Sequence, residues 1–291
     1  ELEQTDNTGG CFNGTRPCYP TANQANNLLE GGVREELELG AELQFFRNRL
    51  GLDFTYFDRK DNNLPIQVPL TGATGYTSSS INSGRLSSNG IEVALSGTPI
   101  RNDNFTWNVG LNFATLKRTV DELYVDPVTG EEITTDVLDR SWRGLTLEAR
   151  VGEEWGAIYG RKITRDANGN QLLDSNGRIQ FEQNQYLGNL LPDFTGGLTN
   201  SFTYKNFTLS ANIDFQKGGK YFSVTKMFNN YSGIGIETVG NNDLGNPVRD
   251  AVADGGGVLV EGVDATSGAP VSYHIAASTY WPRLFALHER W

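Results

Sequence analysis

Apolar and polar residues alternate with a period of two along much of this chain. Leu37, Leu39, Ala41, Leu43 and Phe45 are interleaved with Glu38, Gly40, Glu42 and Gln44. A short break at Arg47-Asn48 follows, and then Leu50, Leu52, Phe54 and Tyr56 alternate with Gly51, Asp53 and Thr55. Such a pattern gives a strand one apolar and one polar face, and two such runs around a short break predict a hairpin. A second hairpin is predicted from Ile91, Val93 and Leu95, through the polar break 101–104, to Phe105, Trp107, Val109, Leu111 and Phe113. A third spans about 194–216, with a tight Lys205-Asn206 turn before Phe207, Leu209, Ala211, Ile213 and Phe215. Links between hairpins are long, roughly 60–88, 118–192 and 217 onward. In the 118–192 link, Asn168-Gly169 and Asn176-Gly177 predict type I′ turns.

Short turns at one end and long links at the other are what an antiparallel transmembrane β-barrel shows. Aromatic residues lie beside the short turns: Phe45, Phe105, Trp107, Tyr204 and Phe207. They fit the girdle at a membrane interface, with their strand faces toward lipid. Phe105 to Phe113 is eight steps, roughly 26 Å at ~3.3 Å per residue. Tilted by about 40°, that covers about 20 Å of bilayer, close to the apolar band of such barrels. On the opposite face, Asn108, Asn112, Asn212 and Asp214 would line the lumen. A soluble or secreted β-sandwich, a glycan binder or adhesin, also alternates and is the competing reading.

Composition narrows the classes. With 37% apolar and 11% aromatic residues the chain can build a core and is not disordered. No apolar run reaches the length of a membrane-spanning helix. The negative mean hydropathy does not decide against a barrel, whose strands are half polar. A net charge of −11 argues against nucleic acid, which needs a basic face. Cys11 and Cys18 sit in a Gly/Asn/Pro-rich stretch without a histidine at ligand spacing. A local disulfide in an oxidising compartment and a pair of inert thiols are the two readings. No signal peptide heads the chain, so it was removed or the gene product begins elsewhere.

Four stretches carry a family resemblance: Phe45–Leu64, Ala73–Ile100, Val151–Lys162 and Leu187–Gly219. In the second, Asn89-Gly90-Ile91-Glu92 is similar to the N-x-G-[IV]-E strand of TonB-dependent receptors. Their order and spacing resemble the SusC/RagA-like TonB-dependent outer-membrane transporters of the Bacteroidota, over most of residues 33–222. The resemblance implies late strands of a plugged barrel of about 22 strands. The plug, the TonB-contacting segment and the aromatic closing strand are expected in parts of a longer chain. On this reading residues 1–32 are an extracellular loop. Residues 33–222 are strand hairpins with long extracellular loops. Residues 223–291 are an extracellular loop and the start of a further strand.

The implied function is import of oligosaccharides or peptides across the outer membrane. A SusD-like surface lipoprotein is the implied lid, and the TonB complex the source of energy. A passive porin is the third reading. Nothing points to an enzyme: His274 and His288 lack ligand spacing, and no nucleophile, phosphate or dinucleotide motif occurs. No cofactor and no metal site are expected. The run Asp166-Ala167-Asn168-Gly169-Asn170 departs from a calcium loop, with Gln171 and Gly177 at deciding positions, and reads as a turn. Candidate substrate or partner contacts are the aromatics of the long links, Trp142, Trp155, Tyr159, Tyr221 and Tyr231. Packing between loops is the alternative for each.

Overall fold

A computed structural model describes residues 23–70, 76–126 and 129–291. Cys11, Cys18 and most of the 1–32 segment lie outside the described residues. The strands are β1 (Val33–Phe45), β2 (Leu50–Pro69), β3 (Ser78–Arg101), β4 (Phe105–Ala114), β5 (Lys117–Glu122), β6 (Tyr124–Val125), β7 (Glu132–Ile133) and β8 (Thr135–Arg140). After them come β9 (Thr146–Arg150), β10 (Ala157–Ile163), β11 (Leu172–Leu173), β12 (Phe181–Asn189), β13 (Pro192–Tyr204) and β14 (Phe207–Gly218). The remainder holds α1 (Val224–Tyr231), β15 (Val258–Asp264), β16 (Pro270–Ile275) and α2 (Ala277–Leu284). The chain folds as two compact units, 1–136 with 148–156 and 191–219, and 137–147 with 157–190 and 220–291.

The first unit is built on an antiparallel sheet in the order β1-β2-β3-β4-β13-β14, with β5 paired to the far part of β3. Its three predicted hairpins stand where the alternation placed them. Phe46, Arg47 and Asn48 take left-handed backbone in the first turn, at φ 52°, 54° and 64°. In the second, the Asn102 carboxamide oxygen accepts from the amides of Asn104 and Phe105. The third is the two-residue Lys205-Asn206 turn, with Lys205 at φ 50°.

The 60–88 link differs from the sequence expectation. β2 continues to Pro69 and β3 begins at Ser78, so the link is a long hairpin arm with bulges near Asn63. Leu64, Ile66 and Val68 do alternate with Pro65 and Gln67, and the arm is half-buried on that side, but the prolines and the bulge break the run. Ile66, Val68, Leu86, Val120, Leu123 and Ala149 form a closed core with β5, and Trp155 packs against it. Fully burying a side chain such as Val120 stabilises by about 1.5–3 kcal/mol. Asp61, 4% exposed, is held by Arg34 at 2.7 Å and Arg118 at 3.3 Å.

The second unit corrects two further expectations. Residues 223–291 carry two short helices and the β15–β16 hairpin, which pairs with β11. The further strand expected at the end is instead helix α2 and a turn of 3-10 helix at His288–Arg290. The apolar positions of that stretch, Tyr280, Trp281, Leu284 and Leu287, recur at helical spacing and fill the core with Ile163, Leu173, Ile179, Val260 and Ile275. The Asn-Gly turns are also not type I′, which needs two left-handed central residues. Only Gly169 and Gly177 have positive φ. Asp166 accepts from the amides of Asn168 and Asn170, and Asp174 from those of Asn176 and Arg178, fixing turns that end on the glycine.

Candidate functional site

The register of the six-stranded sheet turns the strand-by-strand alternation into two continuous faces. Leu43, Leu52, Leu95, Leu111, Leu198 and Ile213 form one row across all six strands. The neighbouring row is Ala41, Phe54, Val93, Phe113, Gly196 and Phe215. At the turn end, Phe105, Trp107, Phe202, Tyr204, Leu209 and Phe207 share this face. Phe202 stacks on Trp107 at 5.7 Å and on Phe105 at 6.5 Å. A second aromatic level bounds the face at its other end, where Phe194 meets Phe113 at 5.3 Å and Phe215 at 6.4 Å. Sequence reading missed this level because its members lie on three strands and meet only through register.

This face is exposed: Leu43 at 45%, Leu209 at 70% and Ile213 at 55%. No layer of the same unit covers it among the described residues. Its one polar member in the middle rows, Asn200, accepts a hydrogen bond from the Trp107 indole at 3.2 Å.

The opposite face is polar and acidic. Glu42, Asp53, Ala94, Asn112, Gly197 and Asp214 form one row, with Glu92, Thr55, Thr195 and Gln216 in the next. Asn108, Asn112, Asn212 and Asp214, singled out from the sequence, all lie on it, and Asn108 accepts from the Thr98 hydroxyl at 2.8 Å. Glu36, Glu38, Thr55, Phe57, Arg59 and Glu92 line a trough of about 500 Å³ on this side. Arg59 is tied to Glu36 at 2.7 Å and sits over the Phe57 ring. The acidic residues Glu42, Asp53 and Glu92 were legible from the alternation that places Asn112 and Asp214, but were not singled out.

The loop aromatics separate. Trp155 is packed under the Arg118 guanidinium at 5.2 Å. Tyr159 is buried and meets Tyr186 edge-on at 5.9 Å. Tyr221 is 81% exposed. Trp142 and Tyr231 are brought together around Phe285, at 5.3 and 4.7 Å, with Phe228 between them and Arg143 over the rings. Phe228, Phe285 and Arg143 carried no sequence signal, because their positions are far apart in the chain and show no period.

His288 lies in the same unit. It is 2% exposed, and its Nδ1 accepts from the Arg161 amide at 3.0 Å. Its Nε2 is buried without a hydrogen bond of good geometry, and the Trp142 carbonyl exerts only a minor pull on the ring. Burial, and then the positive charge of Arg161, push its pKa down to about 4. Glu289 beside it accepts from the Ile163 amide at 2.8 Å and pairs with Arg165. Among the described residues, no group of His, Cys, Asp and Glu is arranged to hold a metal ion. No helix there is long and apolar enough to cross a membrane, which says nothing of crossing by strands.

No family model matches the chain. TonB-dependent receptor P3 of Formosa agariphila is 30% identical over 227 residues, 69% of this chain and 22% of that protein. TonB-dependent receptor P26 of the same organism is 24% identical over 271 residues, 84% of this chain and 26% of that protein. The chain thus spans about a quarter of the length of these curated relatives. Among solved structures, the RagAB peptide importer in its 'open-open' state matches with a TM-score of 0.57 at 17% identity, over 73% of this chain and 24% of that one. The RagAB peptide transporter matches with a TM-score of 0.54 at 18% identity, over 71% and 23%. On these likenesses the chain belongs to the TonB-dependent receptor family and is SusC/RagA-like in fold.

Proposed function

We propose that this chain supplies barrel wall and extracellular loops to an importer of the outer membrane driven by TonB. One observation carries the reading. A six-stranded sheet presents an apolar face bounded by aromatics at both ends and an acidic, polar face behind it. Contiguous apolar surface of this extent is costly in water and at home in lipid. Residues 33–222 provide the hairpins, and 1–32 and 223–291 belong to the extracellular side. Asn108, Asn112, Asn212 and Asp214 face the lumen. Phe45, Phe105, Trp107, Tyr204 and Phe207 face lipid or its interface. Oligosaccharides or peptides are the substrates, a SusD-like lipoprotein is the surface partner, and no cofactor takes part. Of the candidate loop contacts, Trp142, Tyr221 and Tyr231 are the accessible ones. Trp155, stacked under Arg118, and the buried Tyr159 are packing residues in this reading.

The test uses the native outer membrane. The polypeptide containing this sequence is extracted in mild detergent and run unboiled and boiled on a denaturing gel. A heat-shifted band that co-purifies with a lipoprotein is expected, together with uptake that stops when TonB is deleted. A soluble species without a heat shift overturns the barrel. Uptake that survives TonB deletion replaces the importer with a passive pore.

A further inference from the structure

Trp142, Phe228, Tyr231 and Phe285 form one aromatic group in the unit that holds α1 and α2. Phe285 is its buried floor, while Trp142 and Tyr231 are exposed at 37% and 48%. Arg143 is exposed and lies over this group, its guanidinium carbon 5.1 Å from the Phe285 centroid and 6.0 Å from that of Trp142.

Two features of Arg143 bear on its use. Its backbone is left-handed, at φ 52° and ψ 38°. Glycine or asparagine is the usual occupant of that conformation, which Arg47 and Lys205 also take in hairpin turns; at Arg143 it holds the side chain over the rings. It also has no carboxylate within ion-pair distance among the described residues, although the chain carries a net charge of −11. Arg34, Arg59, Arg85, Arg118, Arg150 and Arg165 each pair with one, while Arg47 and Arg101, like Arg143, do not; of these three only Arg143 lies over an aromatic group. Stacking on rings engages the flat face of a guanidinium and leaves its N–H edges available.

We propose that Trp142, Arg143 and Tyr231 form a subsite for a carboxylate-bearing substrate, resting on the importer reading above. The guanidinium forks the carboxylate through two N–H groups, and the flat apolar surface beside that carboxylate stacks on Trp142 and Tyr231. The two carboxylate oxygens lie at the spacing of two guanidinium N–H groups, and the carbon beside them places the substrate's apolar surface next to the rings. A uronic-acid residue and a peptide C-terminus both present this chemistry.

The experiment measures binding to the full-length transporter in detergent by calorimetry. Two probe pairs are used: an oligouronate with its methyl-esterified form, and a short peptide with its C-terminal amide. The wild type is expected to bind the charged member of one pair more tightly than its neutral twin, and that pair identifies the source. Arg143→Gly suits the left-handed backbone and so spares the fold. It is expected to weaken the charged probe by about 10- to 100-fold and leave the neutral twin unchanged. Trp142→Ala is expected to weaken both members of the pair. The proposal is overturned if the charged and neutral probes bind the wild type equally, or if Arg143→Gly binds the charged probe as the wild type does. Heat shift and TonB-dependent uptake persisting in either case would leave the importer reading standing while the subsite falls.

Discussion

Asn200 is a polar residue in the middle of an apolar face, and the Trp107 indole reaches across the strand pair to hydrogen-bond it. Two rows away on the same face, Gly196 lies beneath the Phe215 ring. A Cβ there would run into that ring and come within 2.8 Å of the Asn112 carbonyl. Gly196→Val is therefore expected to overpack the seat of the ring at a cost of about 1–3 kcal/mol. Melting of the unboiled band should move to lower temperature, and an unchanged melting point would show that the ring does not need this seat. His288 gives a pH dependence. Its folded pKa is about 4, against 6.5 for a free imidazole, so the unfolded chain binds more protons between those values. Its contribution to stability is present above pH 6.5 and is lost as the pH falls toward 4. Protonated Nδ1 would also point an N–H at the Arg161 amide that it now accepts from. Protection of that amide against hydrogen exchange, measured relative to its intrinsic rate at each pH, should fall between pH 6.5 and 4, and His288→Gln should remove the effect.

Along a single strand, adjacent residues meet opposite surroundings. Leu111 belongs to the apolar row and Asn112 to the acidic one. In a barrel, a lysine on the lipid face at mid-membrane destabilises by about 2–4 kcal/mol, while the lumen side tolerates it. Leu111→Lys is expected to abolish the heat-shifted band, and Asn112→Lys to keep it. If both variants assemble equally well, the two faces are not lipid and lumen. The hairpins that make these faces were readable in the sequence because each strand is half apolar and its turns are short. The arm formed by the far parts of β2 and β3 was less so, since the bulge at Asn62 and Asn63 interrupts the pairing, Pro65 and Pro69 read as breakers, and Ser78–Ser80 show no period. Helices α1 and α2 were hidden because each has only eight residues: the helical spacing of Tyr280, Trp281 and Leu284 covers little more than one turn, too little to set it apart from a short apolar run.

Over the whole molecule, the sheet was legible and the folded loops were not. Alternation is a local property, whereas Phe194, Phe113 and Phe215 become neighbours only when three strands align. The same holds for Trp142 and Phe285, whose contact spans more than half the second unit's sequence range. Charge follows the sheet as well: Glu42, Asp53, Glu92 and Asp214 stand on one side, so part of the net charge of −11 has an address. Most of the acidic residues elsewhere read, from sequence and structure alike, as solvated.

β2 runs for 20 residues, and only its first seven reach Tyr56, the last apolar position of the belt. The rest of that strand adds about 40 Å of contour at ~3.3 Å per residue. Paired along its length with β3, this extension is a ruler more than a tether. Deleting two residues from each strand would shorten it by about 7 Å and return every side chain to its own side. Deleting one from each would turn the arm inside out.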